Sequence, residues 1–299
     1  ITSKPSKFER VDINEIVEGI VAGVIEDLQI VQLIDQYLPQ DEKQEITPGE
    51  ALKGMIMNGL GFANRPLSLS PQFFTNLPLE HLFRKGVNAS HFNRHKLGRT
   101  LDQCFDFGCE SLFALVSQQA CQIESVDCQF KSLDTTSHSL TGEYAFDDPD
   151  SDENIIKITY GHSKAHRPDL KQVVQEMIVS QDGGVPLACK NWDGNSADTA
   201  VFKARSKALV NSFKNSETPS FLIADCKLYH KKNAEFLSQL KFITLVPSTI
   251  KLEKELISKK LKENEWKVID DNYQYSVEAV EHMEIKQRWV VVHSKAARG

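Results

Sequence analysis

The sequence predicts an α/β fold, a mixed β-sheet flanked by helices and preceded by an all-helical segment. Three observations carry that expectation. Apolar residues recur at helical spacing through roughly the first 120 positions. From Gln129 the period changes to the alternation of strands. A short apolar run, Phe221-Leu222-Ile223-Ala224-Asp225, then rises between a Ser/Thr/Pro-rich stretch and a helix-like segment, Leu228 to Leu240. A run of this kind reads as a buried strand of a mostly parallel sheet.

The elements follow in order. Residues 11–38 carry Ile16, Ile20, Val24, Leu28, Val31 and Ile34 at helical spacing. Thr47-Pro48-Gly49-Glu50 is a helix start, with Thr as cap and Pro at the first position. The helix it opens, Ala51 to Asn64, holds Met55 and Met57 as core fillers. Pro66, Pro71 and Pro78 punctuate a looped stretch, and Leu101 to Ile123 is a further helix. A boundary near 122–128 separates a helical domain, 1–124, from an α/β domain, 125–299. In the second domain Gln129–Leu140, Asn154–His162 and Gln172–Gln181 read as strands. Asp182-Gly183-Gly184 is a turn, and Val185–Lys190 continues the sheet. After the polar loop 191–198, Thr199–Phe213 reads as a helix. Phe242–Val246 is a strand, Lys251–Glu265 a charged helix, and Tyr273–Val277 and Lys286–His293 are further strands.

Composition narrows the class. At 299 residues the chain can bury a large core, and 25% charged with 40% apolar residues is ordinary for a globular protein. No window approaches the length of a membrane-spanning helix. Ile1 to Glu9 are polar and basic, unlike a secretory leader. The six cysteines lack CxxC pairing and read as cytosolic thiols. The net charge of −6 is unevenly spread. His81 to Arg99 contains five basic residues (Arg84, Lys85, Arg94, Lys96 and Arg99) and no acid, whereas Glu143 to Glu153 contains six acids and no base. A single-sign patch of the first kind can face phosphates while the rest of the chain stays acidic.

Two acids carry the chemistry. Asp225 ends a strand, where open α/β sheets place their ligands; it also reads as the N-cap of the segment that follows. Asp134 lies within Leu133-Asp134-Thr135-Thr136-Ser137, inside a strand. An unpaired charge is costly if buried there, and a metal ion is one remedy. Their separation of 91 positions leaves room for a hairpin, a third strand and a helix. That is the layout of an RNase H-like sheet, in which two Asp on neighbouring strands share divalent metal ions.

The series LDTTS, YGHSKAHRPDLKQ, GVPLACKNWDGNSAD and FLIADCKLYHKKN resembles the IS1634 branch of the IS4-type DDE transposases of bacterial insertion sequences. The helical front half resembles the N-terminal domain of that branch, with an expected role in binding DNA ends. The resemblance implies an RNase H-like core, a DDE triad with Asp134 and Asp225 as its first two acids, and Mg²⁺ or Mn²⁺ as cofactor. It implies double-stranded DNA, both transposon ends and target, as partner, a homodimer when bound to ends, no membrane, and a cytoplasmic, nucleoid-associated location. The third acid of the family is a Glu on a late helix after a β-rich insertion. No such motif precedes Gly299, so the core is expected to be incomplete at its end, with Glu253 and Glu255 as fallback candidates.

The expected activity is metal-dependent phosphodiester cleavage and joining. Two Mg²⁺ about 3.5–4 Å apart activate the nucleophile and stabilise the leaving oxygen. Lys164, Arg167 and His162 are candidate DNA contacts, as are the five basic residues of 81–99. Trp192 and Asn195 are candidates for stacking on or bonding to a flipped base. Two other readings stand beside this one: a degenerate copy that binds DNA without cutting it, and another RNase H-like nuclease.

Overall fold

The computed structural model describes residues 13–60, 66–144, 155–163, 166–196 and 220–294. The expected helix Thr199–Phe213, most of the acidic stretch 143–153, and Lys164 lie outside these residues. The chain divides into two compact units, Ile1–Ser125 and Val126–Gly299.

The first unit is helical: α1 (Ile13–Asp27), α2 (Ile30–Tyr37), α3 (Pro48–Gly59), α4 (Ser70–Phe74), α5 (Leu79–Leu82), α6 (Arg94–Phe107) and α7 (Cys109–Ile123), with two short 3₁₀ turns. Two expected single helices are each broken in two. Gln29 takes a left-handed backbone (φ 53°) and ends α1. Gly108, at φ 100°, turns the chain between α6 and α7, a conformation that glycine adopts without steric cost. The start of α3 forms as its sequence demands: Thr47 Oγ1 accepts from the Glu50 amide at 3.1 Å, and the Thr47 amide donates to Glu50 Oε2 at 2.8 Å. Phe74, Phe92, Ile46 and Leu97 close the main core of this unit.

The second unit is built on a five-stranded sheet of order β3-β2-β1-β4-β5. The strands are β1 (Phe130–Leu140), β2 (Lys171–Ser180), β3 (Pro186–Trp192), β4 (Phe221–Ala224) and β5 (Lys241–Thr244). β1, β2 and β3 form an antiparallel meander, and β4 and β5 run parallel to β1. This is the RNase H-like order. Leu133, Ile178, Leu222, Ala224, Leu228 and Leu237 form its core. Leu222 is fully buried, and burying such a side chain contributes about 1.5–3 kcal/mol. A second sheet, β6 (Lys267–Val268), β7 (Tyr273–His282) and β8 (Ile285–Ser294), follows the helix Lys251–Glu263.

Two expected elements are corrected. Within 154–162 the described residues form no strand, only one bridge, Thr159 with Gln172. The cause is a rival partner: Lys157 O accepts from the Gly194 amide at 3.0 Å, and the Lys157 amide donates to Asp193 Oδ1 at 2.8 Å. Strand two of the sheet is therefore Lys171–Ser180. The segment 228–240 is also not one helix. Its helical parts are a 3₁₀ turn, Lys231–Asn233, and the helix Ala234–Leu237. Turn bonds from the Leu228 and Tyr229 amides, and Asn233 Nδ2 on the Leu228 carbonyl, hold the first part of the segment in turns.

Candidate metal-binding carboxylate pair

β1 alternates strictly around its acid. Leu133 and Thr135 are buried, so Asp134 and Thr136 point to the opposite, exposed face. On β4, Leu222 and Ala224 are buried, which gives Asp225, the next residue, the parity of Phe221 and Ile223. The parallel register pairs Phe130 with Phe221, Ser132 with Ile223, and Leu133 with Ala224. Asp134 and Asp225 thus stand one residue beyond the last registered pair, on the same face, where neighbouring strands lie about 4.8 Å apart.

Asp134 is exposed, so burial is not what calls for a counter-charge there. The adjacent carboxylate is. Asp134 Oδ1 accepts from the Thr135 amide at 2.7 Å, and Asp225 Oδ1 accepts from the Lys227 amide at 3.0 Å. The Asp225 contact closes a short turn and not a helix start, since the next helical turn begins only at Lys231, so the N-cap reading of Asp225 is corrected. The Asp225 carbonyl is pinned from β5 by Thr244 Oγ1 at 2.7 Å. Hard carboxylate oxygens on adjacent strands are a fitting donor set for Mg²⁺ or Mn²⁺, which binds few protein groups and keeps its waters. No group of three Asp, Glu, His or Cys converges among the described residues. Neither Glu253 nor Glu255, on the helix Lys251–Glu263, completes the pair.

Sequence reasoning missed two neighbours of Asp134. Thr136 and His138 continue its face along β1, and His138 Nε2 lies 3.1 Å from Gln175 Oε1 on β2. The period-two spacing from Asp134 was the signal for both.

The other candidates are dispersed. His162 is exposed, and its carbonyl accepts from Gln172 Nε2 at 3.4 Å. Arg167 is engaged by Asp169 through a two-bond fork of 2.8 and 2.7 Å. That pairing raises the guanidinium pKa and lowers the Asp169 carboxyl. Trp192 is not in a loop. It ends β3, donates through Nε1 to Glu176 Oε2 at 3.0 Å, and lies under Lys190 Nζ at 4.7 Å. Asn195 is exposed in the turn that follows.

In the helical unit the five basic residues do different things. Arg84 forks onto the buried Glu50 at 2.7 and 3.1 Å and also reaches the Glu45 carbonyl at 2.9 Å. Lys85 and Arg94 are exposed. Lys96 and Arg99 line a cleft of about 440 Å³ together with Lys43, His91, Asp41 and Glu45. Lys96 Nζ donates to Gln44 Oε1 at 3.0 Å, and burial, then the Arg99 charge, pushes its pKa down.

Residues 11–118 match the family described as "Domain of unknown function (DUF4277)". No curated protein matches the chain. Among solved structures the chain is similar to the piggyBac transposase synaptic complex with hairpin DNA, with a TM-score of 0.36 and 10% identity. The similarity covers 93% of this chain and 61% of that one, so the chain spans less than two thirds of that protein's length. The fold assignment above rests on strand order and register, not on this likeness. No helix among the described residues is long and apolar enough to cross a membrane.

Proposed function

We propose that the protein is a metal-dependent polynucleotidyl transferase of the DDE transposase kind, acting on double-stranded DNA. The observation that carries this reading is the β1–β4 register, which sets Asp134 and Asp225 side by side on one exposed face of an RNase H-like sheet. The resemblance of the four motif segments to the IS1634 branch supports the finer assignment, to a bacterial insertion sequence. Asp134 and Asp225 would hold Mg²⁺ or Mn²⁺. When bound, the metal supplies Lewis-acid stabilisation of the transferring phosphate and an activated oxygen nucleophile. The protein's own part is positional: Thr244 and the Lys227 amide fix Asp225, and the strand fixes Asp134, so that both carboxylates would face one metal site. Lys96 and Arg99 offer two cations to DNA phosphates from the helical unit.

Fe²⁺ in place of Mg²⁺, with ascorbate and peroxide, cleaves a polypeptide beside its bound metal. The expected fragments end near residues 134 and 225, and Asp225→Asn abolishes them. Nicking of supercoiled plasmid in Mg²⁺ or Mn²⁺, lost in Asp134→Asn, assigns the chemistry to the same pair. Fragments ending elsewhere, or undiminished in Asp225→Asn, would overturn the assignment.

A further inference from the structure

The tip of the β7–β8 hairpin lies against the turn that carries Asp225, and its construction is costly. β7 and β8 pair along their whole length and close at His282 with Ile285. The two residues between them, Met283 and Glu284, both have positive φ, 56° and 62°. Two-residue turns of this form favour Asn-Gly, and a long side chain at either position is strained. Strain of this kind persists only where the surroundings impose it, and it gathers at functional elements. Here Met283 packs against the core of the five-stranded sheet and also against the core of Tyr229, Leu256 and Trp289.

Beneath the tip lies a closed polar network. Tyr229, only 4% exposed, donates from its hydroxyl to Gln287 Oε1 at 2.6 Å and lies 3.0 Å from His282 Nδ1. Trp289 Nε1 donates to the same Gln287 oxygen at 2.9 Å, and Gln287 Nε2 donates to the His282 carbonyl at 2.9 Å. The Tyr229 and His282 rings stack at 5.6 Å with 12° between their planes. The Tyr229 hydroxyl has one proton, and Gln287 takes it, so His282 is the donor through Nδ1–H.

Tyr229 is four residues past Asp225, and the intervening chain is two interlocked turns. The Leu228 amide donates to the Asp225 carbonyl at 3.2 Å, and the Tyr229 amide to that of Cys226 at 3.1 Å. Asn233 Nδ2 holds the Leu228 carbonyl at 3.0 Å from the other side. A displacement of Tyr229 therefore moves the backbone whose amide at Lys227 aims the Asp225 carboxylate.

We propose that the β7–β8 tip is a brace that positions Asp225, with Tyr229 and His282 as positioning residues. The link to metal binding rests on the carboxylate-pair reading, whereas the brace itself does not. Apolar contact alone would join the two sheets. A phenol, an imidazole and a carboxamide in one directional network instead fix the angle at which the turn leaves β4.

The test uses residues 1–299 and two readouts. In Tyr229→Phe, which keeps the ring in the core, the amides of 226–229 should exchange about tenfold faster, the change expected for one buried hydrogen bond in a local opening equilibrium. Mn²⁺ affinity should weaken by a similar factor at a temperature well below unfolding. Gln274→Ala removes the contact of Gln274 with His293 at the opposite end of the same hairpin, and should leave both readouts unchanged. Unchanged exchange in Tyr229→Phe, or equal acceleration in Gln274→Ala, overturns the brace. So does Mn²⁺ affinity that Asp225→Asn abolishes and Tyr229→Phe leaves intact. If Asp225→Asn binds Mn²⁺ as tightly as the wild type, the metal reading fails, and the exchange rates alone decide the brace.

Discussion

Replacing Asp225 by Asn should stabilise the metal-free protein while abolishing its response to metal. Asn keeps an Oδ1 that accepts from the Lys227 amide, so the turn after β4 survives. What is lost is repulsion between two exposed carboxylates on adjacent strands. At a separation of about 5 Å and a surface-like dielectric that repulsion is on the order of 1–3 kcal/mol, before screening by salt reduces it. A net gain of about 1 kcal/mol would raise the midpoint by roughly 2–4 °C for a unit of this size. Trp192, Trp266 and Trp289 all lie in the second unit, so tryptophan fluorescence reports its unfolding without interference from the helical unit. Mn²⁺ at about one hundred times its dissociation constant should add about 2.7 kcal/mol to the wild type, and nothing to Asp225→Asn. A variant that is less stable than the wild type without metal, or that still gains stability from Mn²⁺, would refute the carboxylate-pair argument.

Three further outcomes are expected. Gly194→Ala places a Cβ 2.0 Å from the Gln172 carbonyl oxygen and 2.5 Å from that of Thr159, both backbone atoms, so the second unit should lose about 1–3 kcal/mol in urea titration. Glu18 is buried, neither of its carboxylate oxygens has a hydrogen-bond partner among the described residues, and burial pushes its pKa up to about 7. A raised carboxyl pKa means that the folded state is favoured at low pH and loses stability between pH 4.5 and about 7. Glu18→Gln should therefore stabilise the helical unit at pH 8 relative to wild type, with the difference shrinking toward pH 4.5, as followed by circular dichroism. Lys259 and Lys260 hold the Glu278 carboxyl down at about 2, so its contribution is present above pH 4.5 and fades as pH falls toward 2. Glu278→Gln should therefore lower stability above pH 4.5 and flatten that acid limb, with the difference from wild type vanishing as pH falls toward 2.

What the sequence discloses depends on the range of the interaction. The carboxylate pair was legible because each acid sits in its own short alternating or apolar run, and strand periodicity acts over a few residues. The capping box at Thr47 and Glu50 was legible for the same reason. Arg84 was not: it belongs to a run of bases, but its partner Glu50 is 34 residues away, and only the packing of the unit brings them together. Tyr229 and His282 are 53 residues apart and leave no local mark. Trp192 reads as a loop residue because Asp, Gly and Asn follow it, yet β3 runs to it, and its indole nitrogen finds Glu176 on the neighbouring strand. The strand expected over 154–162 failed for the converse reason. Its alternating pattern was satisfied by bonds to the turn after β3 instead of a ladder.

The juxtaposition of the two acids is itself an apolar effect. In β1 a phenylalanine precedes the acid by four residues, Phe130 to Asp134. In β4 the spacing is the same, Phe221 to Asp225. The two rings stack at 5.0 Å with 18° between their planes, and this contact sets the register of the parallel pair. Leu133, Leu222 and Ala224 fix the parity by burial on the opposite face. A slip of one residue would put the buried set toward solvent and turn Asp225 away from Asp134, so it is strongly disfavoured wherever one face is buried. Charge repulsion alone would drive the carboxylates apart. The aromatic pair and the core beneath it hold them side by side on one face of the sheet.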